Sequence, residues 1–259
     1  MAQARPFLRH RYKAKKFIAY FQSFSNTYAP LQKLKVLYDT ALSYRDVVGL
    51  SVATRPDCID EETLRLLGSY QPNRRVWIEY GLQSAHDVTL KRINRGHDVA
   101  CFERAVLRTH AFRIDTCAHI ILGLPGEDRE MMMQTGRFLS RLPLQGVKIH
   151  LLYVSRGTTL ARMYQTGEYR CLGREEYADR VVDVLELLPP EVVIQRLTGD
   201  PAEHELVAPQ WALKKNENLR MIQEKLKDRC TWQGRLYRKS HGTIPFAAFP
   251  RHGHTGQAA

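Results

Sequence analysis

The sequence has no local cluster of cysteines. Its five cysteines are widely and irregularly spaced, with no CxxC or CxxxCxxC among them: Cys58, Cys101, Cys117, Cys171 and Cys230. Free thiols at such spacings are typical of the reducing cytoplasm, where we expect the protein to reside. The spacings also argue against a closed metal site built from neighbouring ligands, so we predict no metal ligands in this chain.

Long apolar stretches are missing as well. No run reaches the roughly 18 uncharged apolar residues of a membrane-spanning helix. Residues 1–16 are basic but lead into no apolar signal core. We therefore predict neither a membrane partner nor secretion. The 259 residues, 44% hydrophobic and 25% charged, are otherwise ordinary for a globular protein and suffice for one barrel or two small domains.

The net positive charge is concentrated at the two ends of the chain. Residues 1–16 carry six Lys and Arg and no acid, and residues 214–239 carry nine against three acids. The stretch 17–213 has 23 basic and 24 acidic residues, so the net charge of +12 belongs to the ends. Converging ends would form a patch for RNA or another polyanion. Solvated helix faces and a disordered tail explain the same charges, and both interpretations stay open.

Short apolar runs alternate with amphipathic ones along the chain. Strands are predicted near 17–21, 47–52, 76–80, 118–122, 147–153 and 192–194, and helices near 30–42, 60–70, 86–95, 98–112, 127–141 and 174–188. Asp60 and Asp98 are expected to cap two of these helices. The alternation predicts an α/β fold, which we interpret as a partial (β/α)6 barrel with parallel strands and a C-terminal helical extension.

On this interpretation the chain divides into four segments. Residues 1–16 form the remnant of a basic N-terminal helix, and residues 17–205 form the partial barrel. Residues 206–239 form a basic helical extension. The residues 240–259, which are rich in Gly, His, Pro and Ala, are predicted to be a disordered tail.

Most predicted strands run directly into a loop rich in polar residues, glycine or proline. Asn26, Arg55 and Gln83 each follow a different strand at the same topological place. In a parallel barrel these loops share the face at the carboxyl ends of the strands, where ligands bind. Turn chemistry explains Pro125–Gly126 but not this recurrence of amide and guanidinium groups. We therefore predict a binding site on this face.

Five segments share their order and spacing with one known family. They are Tyr20-Phe-Gln-Ser-Phe-Ser-Asn-Thr-Tyr28, Thr54-Arg-Pro-Asp57, Glu79-Tyr-Gly-Leu-Gln-Ser84 with Asn94-Arg-Gly-His97, His119-Ile-Ile-Leu-Gly-Leu-Pro-Gly-Glu127 and Leu197-Thr-Gly-Asp200. Together they resemble the YhcC-type radical S-adenosylmethionine (SAM) proteins, which are relatives of the elongator catalytic subunit and of oxygen-independent coproporphyrinogen oxidase. The resemblance covers residues 11–237. It implies a radical SAM-type barrel with SAM and a 4Fe–4S cluster as cofactors, and an electron donor as a partner.

The resemblance also implies which positions contact SAM. In relatives the loop after the strand near 17–21 faces the SAM ammonium, and later motifs face the carboxylate, ribose and adenine. The implied contacts in this sequence are Gln22, Asn26, Thr27, Glu79, Gln83, Arg95, His119, Ile121 and Gly123. The same face offers to a substrate Arg55, Asp57, Tyr153 and Arg156, and the last strand ends with Arg196, Thr198 and Asp200.

Three of these residues have more than one interpretation. Arg95 has a guanidinium fork that matches the SAM carboxylate, but it also fits a helix C-terminal cation beside a Gly96 cap. His119 fits either a SAM contact or a hydrogen-bonded core histidine. Glu79, if it points inward, is a buried carboxylate that needs the SAM ammonium or Arg95 as its partner.

The sequence departs from the family at the motif that holds the cluster. A CxxxCxxC loop should precede residue 11, and none of the five cysteines replaces it, because three thiolates on one short loop are needed. A truncated gene model, an excised fragment and a cluster-free protein that kept the barrel for binding are the three explanations. We expect truncation, because the SAM-contact motifs are intact.

The family-level function implied by the resemblance is reductive cleavage of SAM to modify an unknown substrate. A tRNA substrate is suggested by the basic ends and by the elongator kinship. Without cluster ligands, this chain is expected to be an inactive form, so its status as an enzyme is left open. The alternative is a non-catalytic RNA- or protein-binding barrel, and a metal-free sugar-phosphate barrel is a third interpretation.

Overall fold

A computed structural model describes residues 4–238, and the predicted tail 240–259 lies outside them. The strands are β1 (Phe17–Phe21), β2 (Val47–Thr54), β3 (Arg75–Gln83), β4 (Asp115–Leu122), β5 (Gly146–Leu151), β6 (Val154–Ser155), β7 (Val193–Arg196) and β8 (Leu206–Ala208). The helices are α1 (Ala4–Tyr12), α2 (Leu31–Leu42), α3 (Glu61–Ser69), α4 (Asp87–Arg92), α5 (Val99–Ala111), α6 (Arg129–Leu139), α7 (Thr159–Gln165), α8 (Arg174–Leu187) and α9 (Lys215–Asp228). Within the described part, no helix has the length and apolar character needed to cross a membrane.

Six strands form one sheet in the order β1-β2-β3-β4-β5-β7. Every neighbouring pair is parallel, and the sheet curls into a half-barrel with helices on its outer side. β1 and β7 form the two edges, and within residues 4–238 they do not pair with each other. The predicted partial (β/α)6 barrel with parallel strands is confirmed.

Alternation along the strands decides which residues face the helices. In β3 the side chains at 76, 78, 80 and 82 are buried in the core, where Tyr80 Oη lies 2.8 Å from Thr109 Oγ1 of α5. In β5 the side chains at 147, 149 and 151 are buried in the same core. Because side chains alternate across a strand, Glu79, Lys148 and His150 point to the inside of the half-barrel.

Aspartates cap the helices that follow several of the loops. Asp60 Oδ1 accepts a hydrogen bond from Thr63 N at 2.8 Å and begins α3. Asp98 Oδ1 accepts one from Cys101 N at 2.7 Å and begins α5. Both caps agree with the sequence-based prediction, because a carboxylate at this position satisfies an amide that the helix leaves unpaired.

A small excursion, which was not predicted from the sequence, is built from two parts of the chain: β6 and α7 between β5 and α8, and β8 after β7. β6 and β8 form a two-stranded antiparallel sheet, and α7 follows β6. The excursion has its own core, which contains Val154, Ala161 and Tyr169. Tyr169 Oη donates to the carbonyl of Gly123 at 2.9 Å. The excursion therefore packs against the loop that leaves β4.

The C-terminal extension docks on α8 through a buried acidic pair. Asp183 is 1% exposed and Glu186 is 8% exposed. Arg229, directly after α9, donates to Asp183 Oδ1 at 3.0 Å and to Glu186 Oε2 at 2.8 Å. Arg129 of α6 also donates to Asp183, at 2.9 Å. These charge-assisted bonds join α6, α8 and the residue after α9.

The two basic ends are anchored in different parts of the fold. α1 lies beside the start of β2, where Arg5 and Arg9 pair with Asp46 at 2.5 and 2.6 Å. α9 packs on α8, which precedes β7 at the opposite edge of the sheet. RNA contact through these ends stays a prediction.

Two glycines allow a matched test of the packing. A Cβ on Gly146 at the start of β5 would lie 2.8 Å from the Trp77 ring and 2.9 Å from Gln195 Nε2, whereas a Cβ on Gly68 in α3 would meet no atom closer than 4.0 Å. We expect Gly146→Ala to lower the free energy of unfolding by about 1–3 kcal/mol, because it overpacks the barrel interior. Gly68→Ala should leave it unchanged or raise it by up to about 1 kcal/mol. Urea denaturation followed by circular dichroism measures both, and equal effects would contradict this account.

Candidate functional site

A cavity of about 480 Å³ opens inside the half-barrel at the carboxyl ends of its strands. Small-molecule sites occupy roughly 300–1,000 Å³, so the cavity is large enough for such a ligand. The residues that line it are Tyr20, Gln22, Phe24, Ser25, Ala53, Thr54, Arg55, Glu79, Gly81, Gln83, Arg95, His119, Lys148, His150 and Arg196. Among the residues proposed from the resemblance, the cavity brings together Gln22, Arg55, Glu79, Gln83, Arg95, His119 and Arg196.

Glu79 lies at the polar centre of the cavity and is 3% exposed. Its carboxylate accepts hydrogen bonds from Tyr20 Oη at 3.0 Å, from Ser51 Oγ at 2.5 Å and from His119 Nε2 at 2.7 Å. Lys148 Nζ donates to the same carboxylate and lies 4.5 Å from the centroid of the Tyr20 ring. The five residues come from β1, β2, β3, β4 and β5. One buried carboxylate thus connects five adjacent strands.

The protonation states follow from this arrangement. Burial alone would raise the pKa of Glu79, but hydrogen bonds from His119, Lys148 and Ser51 and the charge of Lys148 lower it to about 2. Burial lowers the pKa of His119, although its bond to Glu79 opposes the shift. Burial and neighbouring positive groups lower the pKa of His150 to about 3. At neutral pH Glu79 is therefore ionised and both imidazoles are neutral, with His119 donating through Nε2.

The end of β3 holds Arg95 against the wall of the cavity. The Gly81 carbonyl accepts hydrogen bonds from Arg95 Nε and Nη2 at 3.2 and 2.9 Å and from His97 Nε2 at 3.1 Å. A Cβ on Gly81 would collide with the Arg95 guanidinium and with the Gln83 amide. The pairing register shifts between Gly81 and Gln83, and Gln83 has a φ of 73°. This irregularity changes the direction of the backbone at the end of β3, where Gln83 lines the cavity.

Arg95 forms no hydrogen bond or ion pair with Glu79. Glu79 therefore has other partners than the arginine that was expected from the sequence. The lysine, the imidazole and the two hydroxyls that satisfy Glu79 all come from other strands of the sheet. Arg95 also lies beyond the last residue of α4, Arg92, and its guanidinium lines the cavity. Its backbone N–H bonds to the Leu90 carbonyl at 2.9 Å and closes the end of α4. The structure therefore combines both positions, with the Arg95 backbone at the helix end and its side chain in the cavity wall.

Asn26 and Thr27 shape the loop after β1 without lining the cavity. Asn26 Nδ2 donates to the carbonyls of Phe21 and Ala53 at 3.1 and 2.9 Å. Thr27 is 5% exposed, and its hydroxyl bonds to Thr54 Oγ1 at 2.7 Å. Because these polar groups are used to hold the loop, Gln22 is the member of the predicted trio that faces the cavity.

The other residues proposed from the sequence lie outside the cavity wall. Ile121 is partly buried near the end of β4, and the Gly123 carbonyl is occupied by Tyr169 Oη. Asp57 pairs with Arg55 at 2.6 and 2.9 Å and does not itself line the cavity. Tyr153 is partly buried and Arg156 is exposed, both after β5. Their roles toward SAM or a substrate stay predictions.

The sequence analysis gave no role to four residues of this site. Tyr20, Ser51, Lys148 and His150 contact Glu79 or line the cavity. A signal for two of them was present, because Val147-Lys-Ile-His-Leu151 alternates apolar and polar residues. Such a period of two puts Lys148 and His150 on one face of the strand.

The described residues do not fit an iron–sulfur cluster. No group of three His, Cys, Asp or Glu among residues 4–238 could hold a metal ion. Cys117 and Cys171 are buried, Cys58 and Cys101 are partly buried, and Cys230 is exposed. A 4Fe–4S site in this family needs three converging thiolates with one open iron, and these cysteines lie on separate elements.

Family models match most of the chain. A model of the radical SAM superfamily matches residues 4–139, and a model of the radical SAM C-terminal domain matches residues 144–228. YtqA of Bacillus subtilis is 40% identical over 234 residues, which cover 90% of this chain and 72% of YtqA. YhcC of Escherichia coli K12 is 38% identical over 200 residues, which cover 77% of this chain and 65% of YhcC. The resemblance to YhcC-type proteins is confirmed.

A distant relative and a solved structure extend these similarities. The tRNA uridine(34) acetyltransferase of Dehalococcoides mccartyi is 27% identical over 173 residues, which cover 66% of this chain and 37% of that protein. The archaeal Methanocaldococcus infernus Elp3 with an N-terminal deletion superposes with a TM-score of 0.74 at 19% identity. The superposition covers 89% of this chain and 59% of that chain, and it supports the barrel fold.

Removing the charge of Glu79 should weaken the barrel. In Glu79→Gln the buried Lys148 loses its anionic partner, so we expect the free energy of unfolding at pH 7 to fall by about 3–5 kcal/mol. The exposed Glu103→Gln is the matched control and should change it by less than about 0.5 kcal/mol. Urea denaturation measures both variants.

The difference in the free energy of unfolding between wild type and Glu79→Gln should also depend on pH, and it should become smaller on acidification. The pKa of Glu79 falls from 4.5 to about 2 on folding, so its stabilisation is fully present above pH 4.5 and is lost as the pH falls through about 2. The gap between wild type and Glu79→Gln should therefore narrow between about pH 5 and pH 2. A gap that widens on acidification would contradict the assigned ionisation.

Proposed function

Because the chain belongs to the radical SAM superfamily, we propose that the cavity at the carboxyl ends of its strands binds SAM. The single observation that carries this proposal is the fixed Arg95 guanidinium in a cavity that also presents the side-chain amides of Gln22 and Gln83. SAM has a carboxylate, an ammonium and a ribose, which these groups match chemically.

Arg95 is the proposed partner of the SAM carboxylate. Two of its nitrogens bond to the Gly81 carbonyl, which fixes the plane of the guanidinium and leaves Nη1 without a partner among the described residues. A pre-oriented guanidinium loses little side-chain freedom when an anion binds. The amide oxygens of Gln22 and Gln83 are acceptors for the ammonium and the ribose hydroxyls.

We further propose that this polypeptide binds SAM without cleaving it. In the superfamily SAM supplies a 5′-deoxyadenosyl radical once a 4Fe–4S cluster has reduced it. This proposal is supported by the cysteines of residues 4–238, which lie on separate elements and form no metal-binding group. On this proposal SAM binding and SAM cleavage can be measured separately.

Isothermal titration of SAM into the full chain tests the binding proposal. Arg95→Gln should weaken SAM binding by about ten- to a hundred-fold, because it removes a charge-assisted hydrogen-bond donor. Arg141→Gln removes an exposed arginine away from the cavity and should leave the affinity unchanged. Equal affinities in Arg95→Gln and Arg141→Gln would contradict the proposed carboxylate contact.

Anaerobic reconstitution of the same samples with iron and sulfide completes this test. We expect no stoichiometric 4Fe–4S absorption and no 5′-deoxyadenosine after addition of a reductant. A stoichiometric cluster on this polypeptide would show that its cysteines converge in a way the fold does not predict. Retained SAM binding in the absence of a cluster would separate the two parts of the proposal.

We also propose that the macromolecular partner is an RNA, with tRNA as the first candidate. Two observations support this. A relative at 27% identity is named a tRNA uridine(34) acetyltransferase, and the positive charge of this chain is concentrated at its ends. Just after α1, Lys13, Lys15 and Lys16 are exposed and form no ion pair within the described part of the chain. The alternative is a barrel that binds RNA or protein without catalysis.

Fluorescence anisotropy with unfractionated tRNA, measured across a range of salt concentrations, tests the RNA proposal. Replacing Lys13, Lys15 and Lys16 by Gln should weaken binding and reduce the slope of log affinity against log salt by up to about 3. The control replaces three exposed cations of the neutral body, Lys33, Lys91 and Arg104, by Gln. A similar loss in both triple variants would indicate non-specific charge attraction, and no binding to the wild type would favour a protein partner.

A further inference from the structure

The positively charged side chains that line the cavity differ in how they are engaged. Arg55 pairs with Asp57, Arg95 bonds to the Gly81 carbonyl, and Lys148 pairs with Glu79. The side chain of Arg196, at the end of β7, has no hydrogen bond or ion pair to any residue from 4 to 238. Among the lysines and arginines of the cavity wall, it is therefore the one whose charge meets no partner in the described part of the chain.

Arg196 stands on the inner face of the half-barrel rather than on its surface. It is the register partner of Lys148 on β5, and it is partly buried. Its charge reaches the centre of the cavity, because it contributes to the lowered pKa of both His119 and His150. The Arg196 nitrogens are not among the fully buried, unpaired atoms of residues 4–238, so an anion that enters the cavity can reach them.

A second polar group of the cavity wall also lacks a partner. His150, on β5 beside β7, has a buried Nε2 with no hydrogen bond to any residue from 4 to 238. Most buried polar atoms of folded proteins are hydrogen-bonded, so an unpaired ring nitrogen in a cavity wall is unusual. Thr198, two residues after Arg196, is 2% exposed and its Oγ1 is likewise unpaired within the described residues, but it does not line the cavity. His150 Nε2 is therefore the atom that adds to a ligand site at the end of the cavity where Arg196 lies.

We propose that the β5–β7 end of the cavity, centred on Arg196, binds an oxyanion of the substrate, a carboxylate or a phosphate. A guanidinium fork matches either group geometrically and favours bidentate hydrogen bonds. The proposal rests on the proposed function in one respect: it takes SAM to be the other ligand of the cavity. It assigns the β3 side of the cavity, with Arg95, to SAM and the opposite side to the substrate.

Arg95 and Arg196 come from different strands and are engaged differently. Arg95 is held at the end of β3, where two of its nitrogens bond to the Gly81 carbonyl, and β4 and β5 lie between β3 and β7. The guanidinium of Arg196 has no such bond to residues 4–238 and approaches the cavity from the other side. The two guanidinium groups therefore offer separate sets of donors, one for the SAM carboxylate and one for the oxyanion.

The test uses isothermal titration of the full chain with inorganic phosphate, with acetate and with SAM, at fixed ionic strength. We expect one saturable site for phosphate or acetate, and the probe that binds more tightly identifies the oxyanion. Arg196→Gln should weaken this binding by about ten- to a hundred-fold, and Arg196→Lys by less, because lysine keeps the charge but not the fork. Arg141→Gln should leave the anion affinity within about two-fold of wild type.

Cross-comparison with SAM separates this proposal from the SAM assignment. Arg196→Gln should keep its affinity for SAM within about three-fold of wild type. Arg95→Gln should bind SAM more weakly and keep its affinity for the anion. Anion binding that Arg95→Gln abolishes and Arg196→Gln spares would overturn the proposal and place the anion in the SAM site. Absence of a saturable anion site in the wild type would also overturn it. A wild type that binds the anion but not SAM would instead contradict the SAM assignment and leave the oxyanion proposal standing.

Chemical modification of the wild type covers the case in which Arg196→Gln does not fold. Phenylglyoxal reacts with accessible guanidinium groups, and mass spectrometry of peptides locates the modified residues. We expect Arg196 to react and phosphate or acetate to protect it, while the exposed Arg141 reacts equally with and without the anion. An Arg196 that the anion does not protect would contradict the proposal.

Discussion

The geometry of the site depends on the ionised carboxylate of Glu79. A carboxylate that is 3% exposed is unfavourable unless its charge and its lone pairs are satisfied. Here four side chains on four other strands satisfy it, and each of them is thereby fixed in place. In a parallel half-barrel, backbone bonds join each strand only to its immediate neighbours. The Glu79 network adds side-chain bonds between β3 and strands that are not adjacent to it, β1 and β5.

This network also determines which charges of the cavity are available to a ligand. Lys148 and Glu79 neutralise each other, and the neutral imidazoles of His119 and His150 add no charge. The charge that a ligand meets therefore comes from the guanidinium groups around the cavity wall. One of these, Arg95, is bonded to the Gly81 carbonyl, and another, Arg196, lines the cavity with no side-chain partner among residues 4–238. A neutral centre between separate cations suits a ligand, or a pair of ligands, with separated anionic groups.

Much of the fold could be predicted from the sequence, because the strands are short apolar runs and polar loops follow them. The predicted strand near 76–80 corresponds to β3, and the caps at Asp60 and Asp98 are present. The site was harder to predict, because its central contacts join residues far apart in the sequence. Glu79 and Lys148 are 69 residues apart. Nothing local in the sequence shows that curling of the sheet brings their strands within reach of one bond.

Loop residues show the opposite difficulty. Asn26 and Thr27 belong to a recognisable motif. The expectation that they face the ligand assumes that every polar residue of a motif contacts it. Their polar atoms instead bond to backbone carbonyls and to Thr54, which fixes the loop in which Gln22 lies at the cavity. Residues that hold a loop and residues that touch the ligand look alike in sequence, since both are small and polar. Only the direction of their hydrogen bonds distinguishes them.

The proposed separation of SAM binding from redox chemistry rests on the same geometry. The Glu79 network and the contact between Arg95 and Gly81 lie within residues 20–148 and involve no thiolate. Arg196, at the end of β7, adds a second guanidinium to the same cavity. On the two proposals, a cofactor carboxylate would meet Arg95 and a substrate oxyanion would meet Arg196. Recognition of both ligands would then depend on side chains around a buried ion pair, and the ligands of an iron–sulfur cluster would be a separate requirement.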